Sequence, residues 1–404
     1  METRVASEPA AVRAWTWYVV AVGAWFLSIG LNQVIVPALV TQELRGGAGS
    51  LATAQTAGQV PTLLLILLGG VVADRADRRR VLLGLYLASA ALTAALAARV
   101  AAGALSLALV VAYVAALGVL SAFLMPARDS LLSELAFGDL MRSVSLLTVT
   151  QWGMQAIGSF AARIGERAGL AALIGAQAAI VLAGAVAVWR LPPLAHGHSP
   201  PRTLSLHELS EGVVEVLRSP ILRPIALLSI AIGVLFVGPL LVVFPLLVRD
   251  YYGGDTTDLS LLLGCFPLGI IACTLWLIAR RGLRRKGRAQ LAALAAGGLC
   301  MGALGLGLPF RGALAAVFVF GVGAAVFMNA SRTLFQEKAP ASHRGRVLSV
   351  FSLSSMGASG VVGAPLSGLV VSQFGPLTAC TLSGAATLLV VLGFLAGSRI
   401  RELE

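Results

Sequence analysis

Asn32, Gln33, Gln55, Gln59, Gln151, Gln155 and Asn329 are uncharged polar side chains inside otherwise apolar runs. Gln55/Gln59 and Gln151/Gln155 are spaced four apart, so on a helix each pair shares one face. Amides donate and accept hydrogen bonds without carrying charge. The chemistry open to such stripes is recognition of an organic molecule in a cavity, or hydrogen bonding that ties helices together. Trp25, Tyr113, Trp152, Phe236 and Phe266 lie in the same kind of run and offer apolar surface, to a cargo or to packing. The mix suits a bulky, partly apolar organic molecule better than a small sugar or an inorganic ion.

Covalent and metal chemistry find no footing. The 18 carboxylates fall in loops or at the ends of apolar runs, none at mid-run. Glu43, Asp74, Asp129 and Glu134 come nearest, so proton coupling is left open. Cys265, Cys273, Cys300 and Cys380 have no metal-ligand spacing. His196-Gly-His198 lacks further ligands, and His207-Glu-Leu-Ser-Glu211 lacks the second His of a zinc-protease helix. No phosphate loop is present, so ATP drive is not expected. No cofactor and no metal are expected, and an enzyme is not expected.

These side chains must be positioned by membrane helices. The 404 residues are 58% hydrophobic and only 12% charged, with a mean hydropathy of +0.89. A soluble domain carries about 25% charged residues, so a water-soluble enzyme or a disordered chain is excluded. A span needs roughly 20 apolar residues. Runs of that size fall at Trp15–Leu39, Leu51–Ala73, Val81–Val100, Leu105–Met125, Val144–Ala162 and Leu170–Trp189. The second set falls at Ile225–Val248, Leu259–Ala279, Ala289–Leu308, Ala313–Ala330, Val347–Phe374 and Leu377–Ala396. The expected fold is all-α: twelve transmembrane helices in two six-helix halves, 1–190 and 224–404, joined by a cytoplasmic connector, 191–223.

Charge sets the orientation. With the N-terminus inside, 24 of the 30 Lys and Arg residues lie on the cytoplasmic side, as the positive-inside rule requires. Both termini are then cytoplasmic, in a multi-pass protein of the cell membrane, and the stretch before Trp15 carries no cleavable signal. The net charge of +12 is spread over every cytoplasmic turn. It suits anionic lipid headgroups rather than nucleic acid. A monomer is expected.

The halves look duplicated. An offset of 204 residues superposes Phe123 on Phe327, Arg128 on Arg332, Arg142 on Arg346, Ser145 on Ser349 and Gly153 on Gly357. In the connector, Leu204, Leu206, Leu209, Val213, Val216 and Leu217 suit one helix face, with Glu208, Glu211 and Glu215 on another. A short amphipathic helix lying on the cytoplasmic face is expected.

Between the second and third runs stands Gly70-x-x-x-Asp74-Arg75-x-x-Arg78-Arg79. This spacing resembles the cytoplasmic signature loop of the major facilitator superfamily, with Asp77 where the loop usually has Gly. Gln59-Val-Pro61, Met125-Pro126-Ala127-Arg128 and Arg344-Gly345-Arg346-Val347 resemble the branch of enterobactin-type exporters and macrolide-efflux-like proteins. The resemblance implies a conformational switch in which Asp74 latches the halves on the cytoplasmic side. Arg75, Arg78 and Arg79 would be its local partners, and Gly70 would allow close helix approach. Arg128, Arg344 and Arg346 belong to the same switch. Drug antiporters often carry Gly-Pro in the fifth helix. Here Gly158-Ser159 replaces it, and Ala162-Arg163 stands where a Gly pair is usual. The resemblance implies a secondary transporter exporting a siderophore-like metabolite, another natural product or a drug by alternating access. The alternative is a non-transporting sensor or assembly partner on the same fold.

Overall fold

A computed structural model describes residues 8–135, 140–192, 213–280, 285–338, 354 and 357–397. The first six long helices are α1 (Glu8–Ala38), α2 (Ala48–Arg75), α3 (Arg78–Ala101), α4 (Leu107–Leu135), α5 (Leu140–Ala161) and α6 (Leu170–Trp189). Then come α7 (Leu222–Asp250), α8 (Thr256–Ala279), α9 (Lys286–Gly305) and α10 (Phe310–Lys338). The last helical stretch breaks at Gly375 (φ 80, ψ 168), ahead of Pro376, into α11 (358–374) and α12 (376–397). Only glycine adopts that φ without strain, and Pro376 has no N–H to continue the ladder.

Eight of the helical stretches among the described residues are long and apolar enough to cross a membrane, and one of these holds both α11 and α12. α2 carries the Gln55/Gln59 pair and α5 the Gln151/Gln155 pair.

Helix starts follow local rules. Asp77 caps α3 by accepting from the backbone N–H of Arg79 (3.0 Å) and Arg80 (3.2 Å). The departure from Gly at this position thus gives the turn an N-cap. Asp255 and Asp258 form a capping box at α8. Ends are less local. α4 runs to Leu135 and α10 to Lys338, well past the expected Met125 and Ala330. Hydropathy marks where lipid contact stops, whereas the backbone ladder continues into the interface.

α1–α6 pack as α1 on α5, α2 on α4 and α3 on α6; α7–α12 repeat the scheme as α7 on α11, α8 on α10 and α9 on α12. Glycines make the crossings. Gly30 meets Gly158 between α1 and α5, and Gly118 meets Gly58 between α2 and α4. Their counterparts are Gly238 with Gly363 between α7 and α11, and Gly321 with Gly269 between α8 and α10. Small residues let membrane helices approach backbone to backbone, where dispersion and weak hydrogen bonds replace the hydrophobic effect. The second half differs in one respect. π-helical turns at Gly233–Val237 and Ala358–Gly363 pack on each other at the α7–α11 crossing.

The connector helix expected at 191–223 is described only in part. Leu204, Leu206, Leu209, Glu208 and Glu211 lie outside the described residues. Residues 213–218 are helical, and Val216 is buried with Leu222, Ile225, Leu334 and Phe335. The end of the connector therefore docks on α7 and α10. Val213 and Leu217 are exposed.

Candidate functional site

The amides of the first half pair across helices. Gln155 Nε2 of α5 donates to Gln33 Oε1 of α1 at 3.0 Å. One turn on, the Ser159 hydroxyl donates to the Gly30 carbonyl at 3.3 Å. The close approach at Gly30 and Gly158 makes both bonds possible. Asn32 Oδ1 accepts from the buried Tyr113 hydroxyl of α4 at 3.2 Å, and the Thr93 hydroxyl of α3 lies 3.4 Å from the same Tyr113 oxygen. Behind them, Gln177 Nε2 of α6 donates to the Ser28 hydroxyl at 3.1 Å. Gln155→Leu is expected to lower thermal stability by about 1 kcal/mol, because it strands the Gln33 carbonyl. A melting series in detergent reads this directly, and an unchanged midpoint would discard the pair.

The remaining candidates divide by burial. Gln33, Asn32, Gln55, Gln59 and Gln151 are half-buried. Gln55 Nε2 reaches across to the Leu241 carbonyl of α7 at 3.4 Å, and Gln59 lies against Gly360 of α11. Asn329 turns its amide back to the Ala325 carbonyl of its own helix at 2.8 Å. Trp25 is buried against Tyr86 at 5.6 Å between ring centroids. Phe236 is buried edge-on to Phe320 at 4.9 Å, and Phe266 stacks on the same ring at 5.5 Å. Trp152 packs beside Ile270 and Cys273 of α8, at the contact between the halves. The structure thus brings the amides of α2 against the second half, pairs those of α1 and α5 within the first half, and places Trp25, Tyr113 and Phe236 in helix packing. Phe320, Ser28 and Gln177 were not singled out in the sequence. Gln177 left a signal, as a lone amide in an apolar helix.

The signature loop is described in part. The side chains of Asp74 and Arg75 lie outside the described residues, as do Arg344 and Arg346. Close helix approach falls on Gly69, not Gly70. A side chain at Gly69 would overlap the Ala122 backbone of α4, while Gly70 faces open space. One residue turns a helix by about 100°, so neighbours cannot share a contact. Arg79 donates Nε to the Val188 carbonyl at 3.4 Å and Nη2 to the Trp189 carbonyl, capping the end of α6. Arg78 opens the first turn of α3. Arg128 is nine-tenths buried. Its Nε and Nη2 donate to Asp129 Oδ1 at 2.9 and 2.7 Å, its guanidinium lies 5.2 Å over Phe26, and its Nη1 has no partner.

The halves are joined at the end bearing the α1–α2 and α7–α8 turns, which we call the outer end. Arg249 Nη1 donates to the Gly46 carbonyl at 2.6 Å and the Thr41 carbonyl at 3.3 Å. The Thr256 hydroxyl donates to Gln42 Oε1 at 2.5 Å, and the Thr257 hydroxyl to Glu166. Deeper in, the Ser260 hydroxyl donates to the Phe160 carbonyl at 3.4 Å, and Phe160 packs on Gly264. Partial burial pushes the Asp255 carboxyl up, but the hydrogen bonds it accepts from the backbone N–H groups of Asp258 and Thr257 hold it below the usual carboxylate range. No group of His, Cys, Asp and Glu among the described residues is placed to hold a metal.

The family model for the Major Facilitator Superfamily matches residues 18–363. The chain belongs to the major facilitator superfamily. Solved structures agree with this fold for the facilitator as a whole. The nucleoside transporter NupG superposes with a TM-score of 0.75 at 12% identity, over 96% of this chain and 98% of that one. A D-xylose–proton symporter gives 0.72 at 16% identity, over 96% and 98%. The human organic anion transporter MFSD10 gives 0.68 at 16% identity, over 95% and 99%. A search of curated protein sequences finds no match. At these identities the facilitator shares its fold with those transporters. Its own cargo must be argued from its residues.

Proposed function

We propose that this facilitator is a secondary transporter that exports a small, partly apolar organic molecule from the cytoplasm by alternating access. The cargo is a siderophore-like metabolite, another natural product or a drug. The observation that carries the reading is the way the halves meet. They are held at the outer end by a few hydrogen bonds, and the half-buried amides of α2, Gln55 and Gln59, stand against the facing half. Bonds of that kind can break as a unit while each half keeps its own packing, which is what rocking about a central site requires. Uncharged amides, together with the rings of Phe266 and Trp152 that pack against one cluster, suit a cargo with both polar edges and apolar faces.

The test compares metabolites inside cells and in spent medium, with the gene intact and deleted. Accumulation inside and loss outside on deletion would identify an exporter together with its cargo. Inside-out vesicles then take up that compound only when they contain the protein. Equal compound levels in both strains, with equal sensitivity to a panel of antibiotics and dyes, would overturn export.

In this cycle Asp74, with Arg75, Arg78, Arg79 and the Arg344 and Arg346 segment, acts as the opposite latch, closing the cytoplasmic end when the outer end opens. Asp74→Asn is expected to leave expression unchanged and slow turnover by roughly two- to fivefold, the weight of a carboxylate at a helix terminus. A normal transport rate in that variant would sink the role.

A further inference from the structure

At the end of the bundle opposite the outer turns, a groove of about 540 Å³ opens between α1 and the end of α6, lined by Arg13, Thr16, Trp17 and Arg190. We propose that this groove binds the phosphodiester headgroup of an anionic phospholipid from the cytoplasmic leaflet. It lies on α1 and α6 alone, so it does not depend on the transport reading.

Arg13, Thr16 and Trp17 are spaced three and four apart and share one face of α1. Arg190 follows the last residue of α6, and its guanidinium lies 4.6 Å over the Trp17 ring. Stacking fixes the plane of the guanidinium and leaves its N–H edge for an acceptor. No carboxylate lines the groove, and none pairs with Arg13 or Arg190 among the described residues. Among the described residues, two cations without a carboxylate partner converge on one opening.

The local helix end reinforces this. The end of α6 should oppose an anion with its free carbonyls, but Arg79 occupies those of Val188 and Trp189. The site therefore presents donors to an anion from two helices and a third arginine behind them. Its depth also fits. Trp17 is half-buried and Trp189 exposed at the boundary where the apolar runs of α1 and α6 stop. Tryptophan at that level marks the headgroup region of a bilayer. A phosphodiester tethered to acyl chains meets the groove there, with its chains against the apolar sides of α1 and α6.

The test uses the full-length protein in nanodiscs of equimolar phosphatidylglycerol and phosphatidylcholine. The protein is released with a neutral detergent, and retained lipid is read by native mass spectrometry. Phosphatidylglycerol is expected to be retained over phosphatidylcholine. Each arginine near the surface contributes roughly fivefold, so R13Q/R190Q should lower retention about thirtyfold, and R13K/R190K should keep most of it. R218Q/R223Q removes the same charge from exposed arginines outside the groove and should leave retention unchanged. Equal retention in R13Q/R190Q, or equal loss in R218Q/R223Q, overturns the site. Displacement of the lipid by millimolar inorganic phosphate would assign the groove to a free anion and overturn the lipid. If the double variant does not fold, the exposed Arg13→Gln alone carries the test, with a roughly fivefold loss expected.

Discussion

Replacing Arg249 by Gln is expected to shift the balance between outer-closed and outer-open forms roughly ten- to a hundredfold toward open. Arg249 Nη1 holds the Gly46 and Thr41 carbonyls of the facing half at 2.6 and 3.3 Å. A hydrogen bond from a charged donor contributes about 1.5–3 kcal/mol, which sets that range. The bond exists only while the turns are together, so its whole contribution biases one state. Asp250, which pairs with Arg249 at 2.5 Å, is partly exposed and regains water when the arginine is lost. No buried charge is stranded, and the fold should survive. The Thr256–Gln42 bond remains, so closure weakens without disappearing. Spin labels at the exposed Ala102 and Arg311, one on each half, report the separation of the outer ends. Arg249→Lys, which keeps a charge but not the fork, should fall between wild type and Arg249→Gln. A distance distribution unchanged by Arg249→Gln would remove the latch.

Gly158→Val should lower stability by roughly 2–5 kcal/mol, the combined weight of overpacking and of the hydrogen bonds that close approach allows. A side chain there overlaps the Leu27 carbonyl and the Gly30 Cα of α1. Separating α1 from α5 also pulls Ser159 from the Gly30 carbonyl and Gln155 from Gln33. Gly153 lies on the same helix, but a Cβ there meets open space. Gly153→Ala should therefore be neutral or stabilising by up to about 1 kcal/mol, since alanine favours the helix. The fraction of protein eluting as a single species after heating in detergent separates the two. Similar losses for Gly158→Val and Gly153→Ala would mean that the crossing is not what holds these helices.

Much of the architecture was legible because its causes are local. A run of some twenty apolar residues has one low-energy solvent, the bilayer, and the backbone in it must be helical. That alone located the long helices and the turn between α2 and α3. Asp77 caps α3 whatever the rest of the chain does. The recurrence of Phe, Arg and Gly at one offset pointed to two related halves, and the equivalent pairing of α1–α5 with α7–α11 agrees with that.

Which side chains meet was decided by the tertiary structure, because rotation about a helix axis is set by packing and not by the helix's own sequence. Gln155 and Gln33 were both visible as polar residues, yet nothing in their spacing paired them across 122 positions. Gly69 rather than Gly70 takes the contact with α4 for the same reason. The outer latch was hidden more deeply. Arg249 looked like one more charge at a helix end, and its partners are backbone carbonyls of Thr41 and Gly46. A carbonyl is present at every residue, so no pattern of residue types can mark the two that an arginine from the other half will reach. By itself the sequence determined that this chain is a two-part helical membrane protein of facilitator type. Only the folded arrangement decided which end of it is held closed, and by what.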